Sequence, residues 1–474
     1  MIKPSSARPR RAAFLIALFA SGCASVPHMA PPAVSRATEL QAQAHRLNGE
    51  ATAWPADGWW TGYGDQQLDR LMADALAQSP DLAAATARIR VADGYARQAG
   101  AALLPSITAS GNVSGALLSK NNGVPAQIVP GGWNDTGSVG IGGTIDIDLW
   151  GKNRANLRAA KLEAAATRYE AEQAKLALTT AIASAYAELA ALHAQRDSLE
   201  SALAIRTQTL ALVDQRVAQG LDTEAVQRQA RARLEATQAS LAATDEAIGL
   251  ARNAIAALIG SGPDRALDIS RPNLATLTVQ PLPAKAGIDL IGRRPDIAAA
   301  RARAEAAQQR VKAARAEFYP NLSLSALVGT QAFGLGNLFA SNSTFGAAGP
   351  AVSLPLFRGG ALQGQYRARR GQYDEAIAFY DRTVIGALHE TADAMTSRTL
   401  LVTRLEASRR ALADFEAANR LARLRYSQGL STYLDVLTAE EGVLDSRLTV
   451  ARLQTRAFAL DVALVRALGG GFHA

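Results

Sequence analysis

The chain is poor in cysteine, aromatics and long apolar runs, and each scarcity closes off a class of protein. One cysteine, Cys23, serves all 474 residues, so no disulfide can form within the chain. Aromatics make up only 5%. Compact cores bury large aromatic side chains, whereas long packed helices are built from Ala and Leu, and alanine is abundant here. Lys and Arg (50) exceed Asp and Glu (42), but the signs are interspersed and no basic run is dense enough to argue for nucleic acid. The histidines His28, His45, His193, His389 and His473 lack zinc-ligand spacing, and no HExxH, GxSxG or P-loop occurs. The chain is therefore not expected to be an enzyme, to hold a metal or to need a cofactor. His193 and His389 are expected on the surfaces of long helices. Beyond the N-terminus no apolar stretch approaches the roughly 18–20 residues of a membrane helix. Membrane passage by the mature chain must then use β-strands closed into a barrel.

The N-terminus reads as an export signal. Lys3, Arg8, Arg10 and Arg11 form a positive leader, and Ala12 to Ala20 is a short apolar run. Ala20-Ser21-Gly22-Cys23 follows and resembles a bacterial lipobox, with Ala20 where leucine is usual. In a lipobox the thiol receives a diacylglyceryl group, the leader is cut, and the new N-terminus is acylated. Cys23 would then carry S-diacylglycerol and an N-acyl chain, which hold a protein on a membrane far better than one chain does. Ala24, not Asp, follows, which resembles outer-membrane sorting. The alternative is an ordinary secretory signal with an incidental cysteine.

The rest of the chain is one unit written twice. Ser79-Pro80-Asp81-Leu82 recurs as Arg294-Pro295-Asp296-Ile297, and Leu104-Pro105-Ser106-Ile107 as Tyr319-Pro320-Asn321-Leu322, both at an offset of 215. Leu149-Trp150-Gly151 recurs as Leu356-Phe357-Arg358-Gly359, and Arg216-Val217-Ala218-Gln219-Gly220-Leu221 as Arg425-Tyr426-Ser427-Gln428-Gly429-Leu430. In each copy a Pro-Asp pair opens a helix, about 81–103 or 296–318, that ends before Pro105 or Pro320. Alternation follows. Ile107, Ala109, Gly111 and Val113 face one way, and Ser106, Thr108, Ser110 and Asn112 the other. Ser138 to Leu149, Asn321 to Val328 and, more weakly, Gly346 to Leu356 continue the pattern. Such strands have the length of transmembrane β-segments, about 9–11 residues. Trp133, Trp150, Phe318, Tyr319, Phe345 and Phe357 lie at strand ends, as an aromatic girdle would. A soluble hairpin pair with one wet face is the alternative.

A very long helix follows each hairpin. No proline occurs between Gly151 and Gly262 or after Pro355, and Leu162, Tyr169 and Leu176 recur every seven residues. The first such helix would extend on the order of 100 Å at 1.5 Å per residue. Each ends in a glycine turn, and a helix returns over about 223–258 or 432–468. The expected domains are a signal peptide (1–22), a lipidated tether (23–60), a first repeat (61–262, hairpin about 105–150), a linker (263–283) and a second repeat (284–474, hairpin about 320–357). Two hairpins cannot close a barrel, and open strand edges are not tolerated in lipid, so several chains must share one cylinder. An eight-stranded barrel is filled by side chains, so a conduit needs at least a trimer.

The doubled architecture, the Pro-Asp starts, Phe318-Tyr319-Pro320-Asn321-Leu322, Leu356-Phe357-Arg358-Gly359-Gly360, and Arg425 to Leu430 leading to Tyr433-Leu434-Asp435-Val436-Leu437 together resemble the outer membrane efflux channel family, of the TolC and NodT lipoprotein kind. The resemblance covers nearly the whole mature chain. It implies a mainly α fold with membrane β, in which a homotrimer forms a 12-stranded β-barrel continued by a 12-helix periplasmic coiled tunnel. It implies an outer-membrane location with lipid anchor, and passive conduction of drugs or toxic small molecules. The partners it implies are a periplasmic adaptor, the membrane fusion protein, and an inner-membrane pump, often of the resistance-nodulation-division type. Gly220, Leu221, Gly429 and Leu430 would be the tips that meet the adaptor, although turn chemistry alone accounts for the glycines. Leu434, Asp435 and Thr438 match the family's periplasmic gate. Many relatives carry an acidic residue where Thr438 stands, and Asp435 has an alternative role as the carboxylate that caps Thr432. A periplasmic adaptor and a structural coiled-coil lipoprotein are the other readings, but neither needs two barrel hairpins.

Overall fold

Each repeat begins where a proline can only start a helix. Pro80 and Pro295 take first-turn positions, where a missing N–H costs nothing, and Asp81 and Asp296 follow at the positive end of the dipole. The computed structural model describes residues 25–31, 33–35, 54–121, 123, 125, 127–273 and 292–473. Cys23, the signal and linker residues 274–283 lie outside them. A short helix α1 (Gln66–Gln78) precedes the first copy, which comprises α2 (Pro80–Ala101), β1 (Ser106–Leu117), β2 (Trp133–Ile147), α3 (Lys152–Ala218) and α4 (Glu224–Leu258). The second copy comprises α5 (Pro295–Ala316), β3 (Asn321–Phe333), β4 (Thr344–Ser353), α6 (Ala361–Ser427) and α7 (Tyr433–Ala467). Matching helices are equal in length, at 22, 67 and 35 residues. All divergence in length therefore lies in strands and connections.

The chain divides into two compact units. One holds Ile89–Thr167 and Ala300–Tyr380 with the described part of the first 35 residues, and the other holds the remainder. In the first unit four strands form one antiparallel sheet in the order β1-β2-β3-β4. β1 continues to Leu117 and β3 to Phe333, through Ser, Gly and Ala positions that carry little hydropathy contrast. β4, the outermost of the four strands, holds Pro350 opposite Leu324 of β3. At the base of β2, Asp148 accepts the Asn153 and Arg154 N–H groups (3.0 and 2.9 Å) and so caps α3. Trp150 stacks on Tyr319 at 4.6 Å and donates to the Pro320 carbonyl. Residues 25–31 and 33–35 belong to the same unit. Val26 and Met29 pack on Phe318, Leu362 and Tyr366, the Ala33 N–H donates to Asp374, and Arg370 donates to the Ala30 carbonyl.

The second unit has the larger core. Trp59, Trp60, Tyr63, Leu68, Leu71 and Met72 pack with Leu178, Ile182, Tyr186 and Leu189 of α3, Ile248 and Ile255 of α4, and Phe458 and Val462 of α7. The tryptophans at 59 and 60 thus sit in a 3-10 turn inside the core, although they fall within the expected tether. Two buried tyrosines fix this segment: Tyr63 donates to Asp461, and Tyr186 to Asp65 at 2.8 Å. Asp65 also caps α1 through the Gln67 and Leu68 N–H groups. One 18-residue window of α3 is apolar enough to cross a membrane, contrary to the sequence expectation, but 56% of it is buried. The α3 residues in the core account for that composition without a bilayer.

Candidate functional site

The sheet of the first unit separates most of its side chains by face, with Asp135, Thr330 and Thr344 the polar exceptions on one side and Leu327, Phe333 and Phe345 the large apolar ones on the other. Directly opposed residues share a face, so the register collects Ile107, Val113, Val139, Ile141, Ile147, Leu324, Val328 and Val352 on one side. All are exposed, Ile107 at 75%. The other side collects Ser106, Thr108, Ser110, Asn112, Ser138, Thr144, Ser325 and Gln331. Such a sheet suits lipid on one face and water on the other. Among the described residues the outer edges of β1 and β4 have no strand partner. Trp133, Trp150, Tyr319 and Phe357 are exposed, as an aromatic girdle requires. Phe318 and Phe345 are corrections to that expectation: Phe318 is buried against Tyr366, and Phe345 falls on the hydroxyl-rich face opposite Gly329.

The second unit contains both glycine turns. Gly220 and Gly429 adopt φ of 71° and 75°, a left-handed conformation that glycine takes without Cβ strain. In each, the glycine N–H donates three residues back and the following leucine N–H five residues back. The pairs are Gly220 to Val217 with Leu221 to Arg216, and Gly429 to Tyr426 with Leu430 to Arg425. This doubled closure is the Schellman helix end. It leaves Leu221 and Leu430 outside at 59% and 64% exposure. Behind them Val213, Ala230, Tyr426, Tyr433, Val436 and Leu437 form a buried cluster that brings the two turns together.

A polar lock that the sequence did not reveal spans the two turns. Arg216 donates to Asp222 (2.6 Å) and to the Tyr426 carbonyl (3.1 Å), and its guanidinium lies 4.7 Å from the centre of the Tyr426 ring. The Tyr426 hydroxyl also donates to Asp222 at 2.7 Å. Burial pushes the Asp222 carboxyl up, but the hydrogen bonds from Arg216 and Tyr426, with the Arg216 charge, outweigh it and hold the group below its usual range. Burial and the Asp222 hydrogen bond push the Tyr426 phenol up, so it stays a donor. Thr223, not Asp222, caps α4 through the Val226 N–H.

The gate candidates lie on the first turns of α7. Leu434 is 63% exposed. Asp435 accepts the Thr432 N–H and hydroxyl, each at 2.9 Å, and those bonds lower its carboxyl pKa. The capping role weighed from the sequence is therefore present. Thr438 donates its hydroxyl back to the Leu434 carbonyl. Farther along, Glu440 is buried and accepts from Thr209 of α3 at 2.6 Å. His389 is exposed beside Asp393, whereas His193 is half-buried with Nε2 unpartnered, and burial lowers its pKa, so it is not the surface group expected.

Comparison with known proteins gives this geometry a family. The family model described as outer membrane efflux protein matches residues 71–261 and 289–470. The fusaric acid resistance protein FusA of Burkholderia cepacia is 35% identical over 370 residues, covering 75% of this chain and 68% of that protein. The multidrug resistance outer membrane protein MdtP of Shigella flexneri is 29% identical over 461 residues, covering 96% and 94%. The crystal structure of the outer membrane protein VceC from Vibrio cholerae superposes with a TM-score of 0.84 at 44% identity, covering 89% of this chain and all of that one. Both repeats are matched, and the four-stranded sheet and long helices are those of a TolC-like channel rather than an enzyme. The chain belongs to the outer membrane efflux protein family, as an efflux channel subunit of the outer membrane.

Proposed function

We propose that three copies of this chain form a 12-stranded barrel and passively conduct small toxic organic molecules, delivered by an inner-membrane pump through a periplasmic adaptor. The observation that carries the reading is the sheet, with one apolar face and two unpaired edges. In hydrocarbon each unpaired N–H or C=O costs several kcal/mol, so β4 of one copy must meet β1 of the next. Organic toxicants are the favoured cargo because FusA is named for resistance to fusaric acid and MdtP for multidrug resistance. The exposed Leu221 and Leu430 beside Gly220 and Gly429 are the adaptor contacts, two apolar side chains held outside turns that one buried cluster brings together. Leu434 narrows the periplasmic end, with Asp435 and Thr438 beside it, and the symmetry axis brings the copies together.

Cys23 carries the lipid. Val26 and Met29, a few residues downstream, pack on Phe318, three residues before β3 begins, so an acyl chain on Cys23 reaches the membrane within a few residues. The division we propose is a lipidated tether (23–60), a first repeat (61–262), a linker (263–283) and a second repeat (284–474), with the end of the tether folded into the core. Cross-linking of the full-length protein in detergent should give a trimer, and planar bilayers should show ion-conducting channels. A monomer that never conducts would overturn the reading. Leu434→Ala should raise passive uptake of large antibiotics several-fold in cells lacking the pump. Unchanged uptake in Leu434 and Asp435 variants removes the gate assignment. Cys23→Ser should abolish labelling with radioactive palmitate.

A further inference from the structure

Leu327 breaks the pattern of the sheet. It lies opposite Gly142 and Ala347, in one row with Thr108, and therefore on the hydroxyl-rich face. Within the four strands it is the only aliphatic residue larger than alanine on that face, and it is 40% exposed. Its placement depends on glycine. A Cβ added at Gly142 or Gly140 would lie 3.3 or 3.4 Å from Leu327 Cδ1. The two bare glycines let the side chain lie flat across β2 with its other side open. A trough of about 620 Å³ lies above, lined by Ser106, Thr108, Ser110, Thr144, Ser325 and Leu327 among others. Phe345, on β4 and the same face, is the diagonal neighbour of Leu327, within reach of an aromatic ring.

We propose that Leu327, with Phe345 beside it, is an apolar step on the lumen wall that briefly holds the apolar part of an amphiphilic solute and so grades what the channel passes. The inference rests on the reading of this sheet as a barrel wall and deepens it. Apart from Phe333 at the far end of β3, the rest of that face offers hydroxyl, amide and carboxylate groups with Gly and Ala, which hold little hydrocarbon. An aromatic or branched alkyl group gains only by covering an apolar surface, and Leu327 supplies that surface at mid-strand. The contact is weak, so it retains such a solute without trapping it.

The test uses the full-length assembled channel in planar bilayers, carrying a potassium chloride current. 1-Naphthalenesulfonate and ethanesulfonate, equal in charge and different in apolar size, are added in turn on the side of the 118–132 and 334–343 loops. The aromatic probe should interrupt the current with dwell times about threefold shorter in Leu327→Ser than in the unaltered channel, and ethanesulfonate events should not change. Leu327→Phe should lengthen the aromatic dwell times. Should Leu327→Ser fail to assemble, Leu327→Cys is assembled first and then treated with a membrane-impermeant sulfonated methanethiosulfonate. The new thiol should react and the aromatic dwell time should fall. A thiol that never reacts, or aromatic dwell times unchanged after substitution or labelling, overturns the proposal while leaving the channel itself intact. Failure of the unaltered protein to conduct would instead remove the barrel reading beneath it.

Discussion

The two glycine turns share a backbone and differ in where they spend a carboxylate. At the first, Asp222 reaches Arg216 in α3 and Tyr426 in α6, so it ties one repeat to the other. At the second, Asp435 closes back on Thr432 and stabilises only its own helix end. Duplication preserved what local sterics demand, a left-handed glycine followed by a leucine held outside. It left side-chain partners free to diverge, and only the carboxylate of the first turn fastens one repeat to the other.

The largest disturbance of that asymmetry should come from Tyr426, whose counterpart in the first repeat is the half-buried Val217. Tyr426→Ala removes a ring that is 1% exposed and a partner of Asp222. It should cost about 3 kcal/mol of local stability, read as roughly hundredfold faster hydrogen exchange at both turns. Equal exchange in the variant would mean that the turns are independent. Asp222→Ala should follow at about 2 kcal/mol, because Arg216 and the phenol lose their acceptor. Its folded pKa is lowered, so its contribution is present above the unfolded value of about 3.9 and is lost as pH falls through the folded one. Asp222→Asn and the unaltered protein should therefore differ by a constant amount at neutral pH and converge below about pH 4. Asp435→Ala should speed exchange only at the second turn, and by less.

The shared feature should respond symmetrically. Gly220→Val and Gly429→Val should each cost about 1–2 kcal/mol, the strain of a β-branched residue at positive φ. Clearly unequal costs would show that the turns differ in backbone as well as in partners. Glu440 should give the smallest effect and the opposite sign. Burial raises its pKa against the Thr209 hydrogen bond and the charges of Arg206 and Arg423, with Glu441 adding to the rise. Its contribution is thus present below the ordinary value of 4.5 and lost as pH rises through the raised one. Glu440→Gln should be more stable than the unaltered protein at pH 7.5, by less than about 1 kcal/mol, and the two should converge near pH 4, as melting by circular dichroism would record.

Most of the architecture was legible because it is set by neighbours along the chain. Pro80 and Pro295 start helices, Gly220 and Gly429 end them, and alternation from Ser106 or Asn321 declares a strand, each through sterics or periodicity over a few residues. The α1 helix and the burial of Trp59 and Trp60 were less legible, since a Trp pair in a Pro-containing stretch fits a strap as well as a core. The gate candidates were found by resemblance, but the lock behind them was not, because nothing near Asp222 or Tyr426 in sequence announces a partner 204 residues away.

The sequence by itself determined the duplication, the helix limits, the turns and the two-faced strands, because these follow from backbone sterics and from hydrophobic periodicity. Only the tertiary structure decided that Arg216 and Tyr426 share Asp222, that Leu327 lies on Gly140 and Gly142, and that Glu440 is buried against Thr209. Those contacts join distant segments, and their energies exist only once packing has excluded water between them.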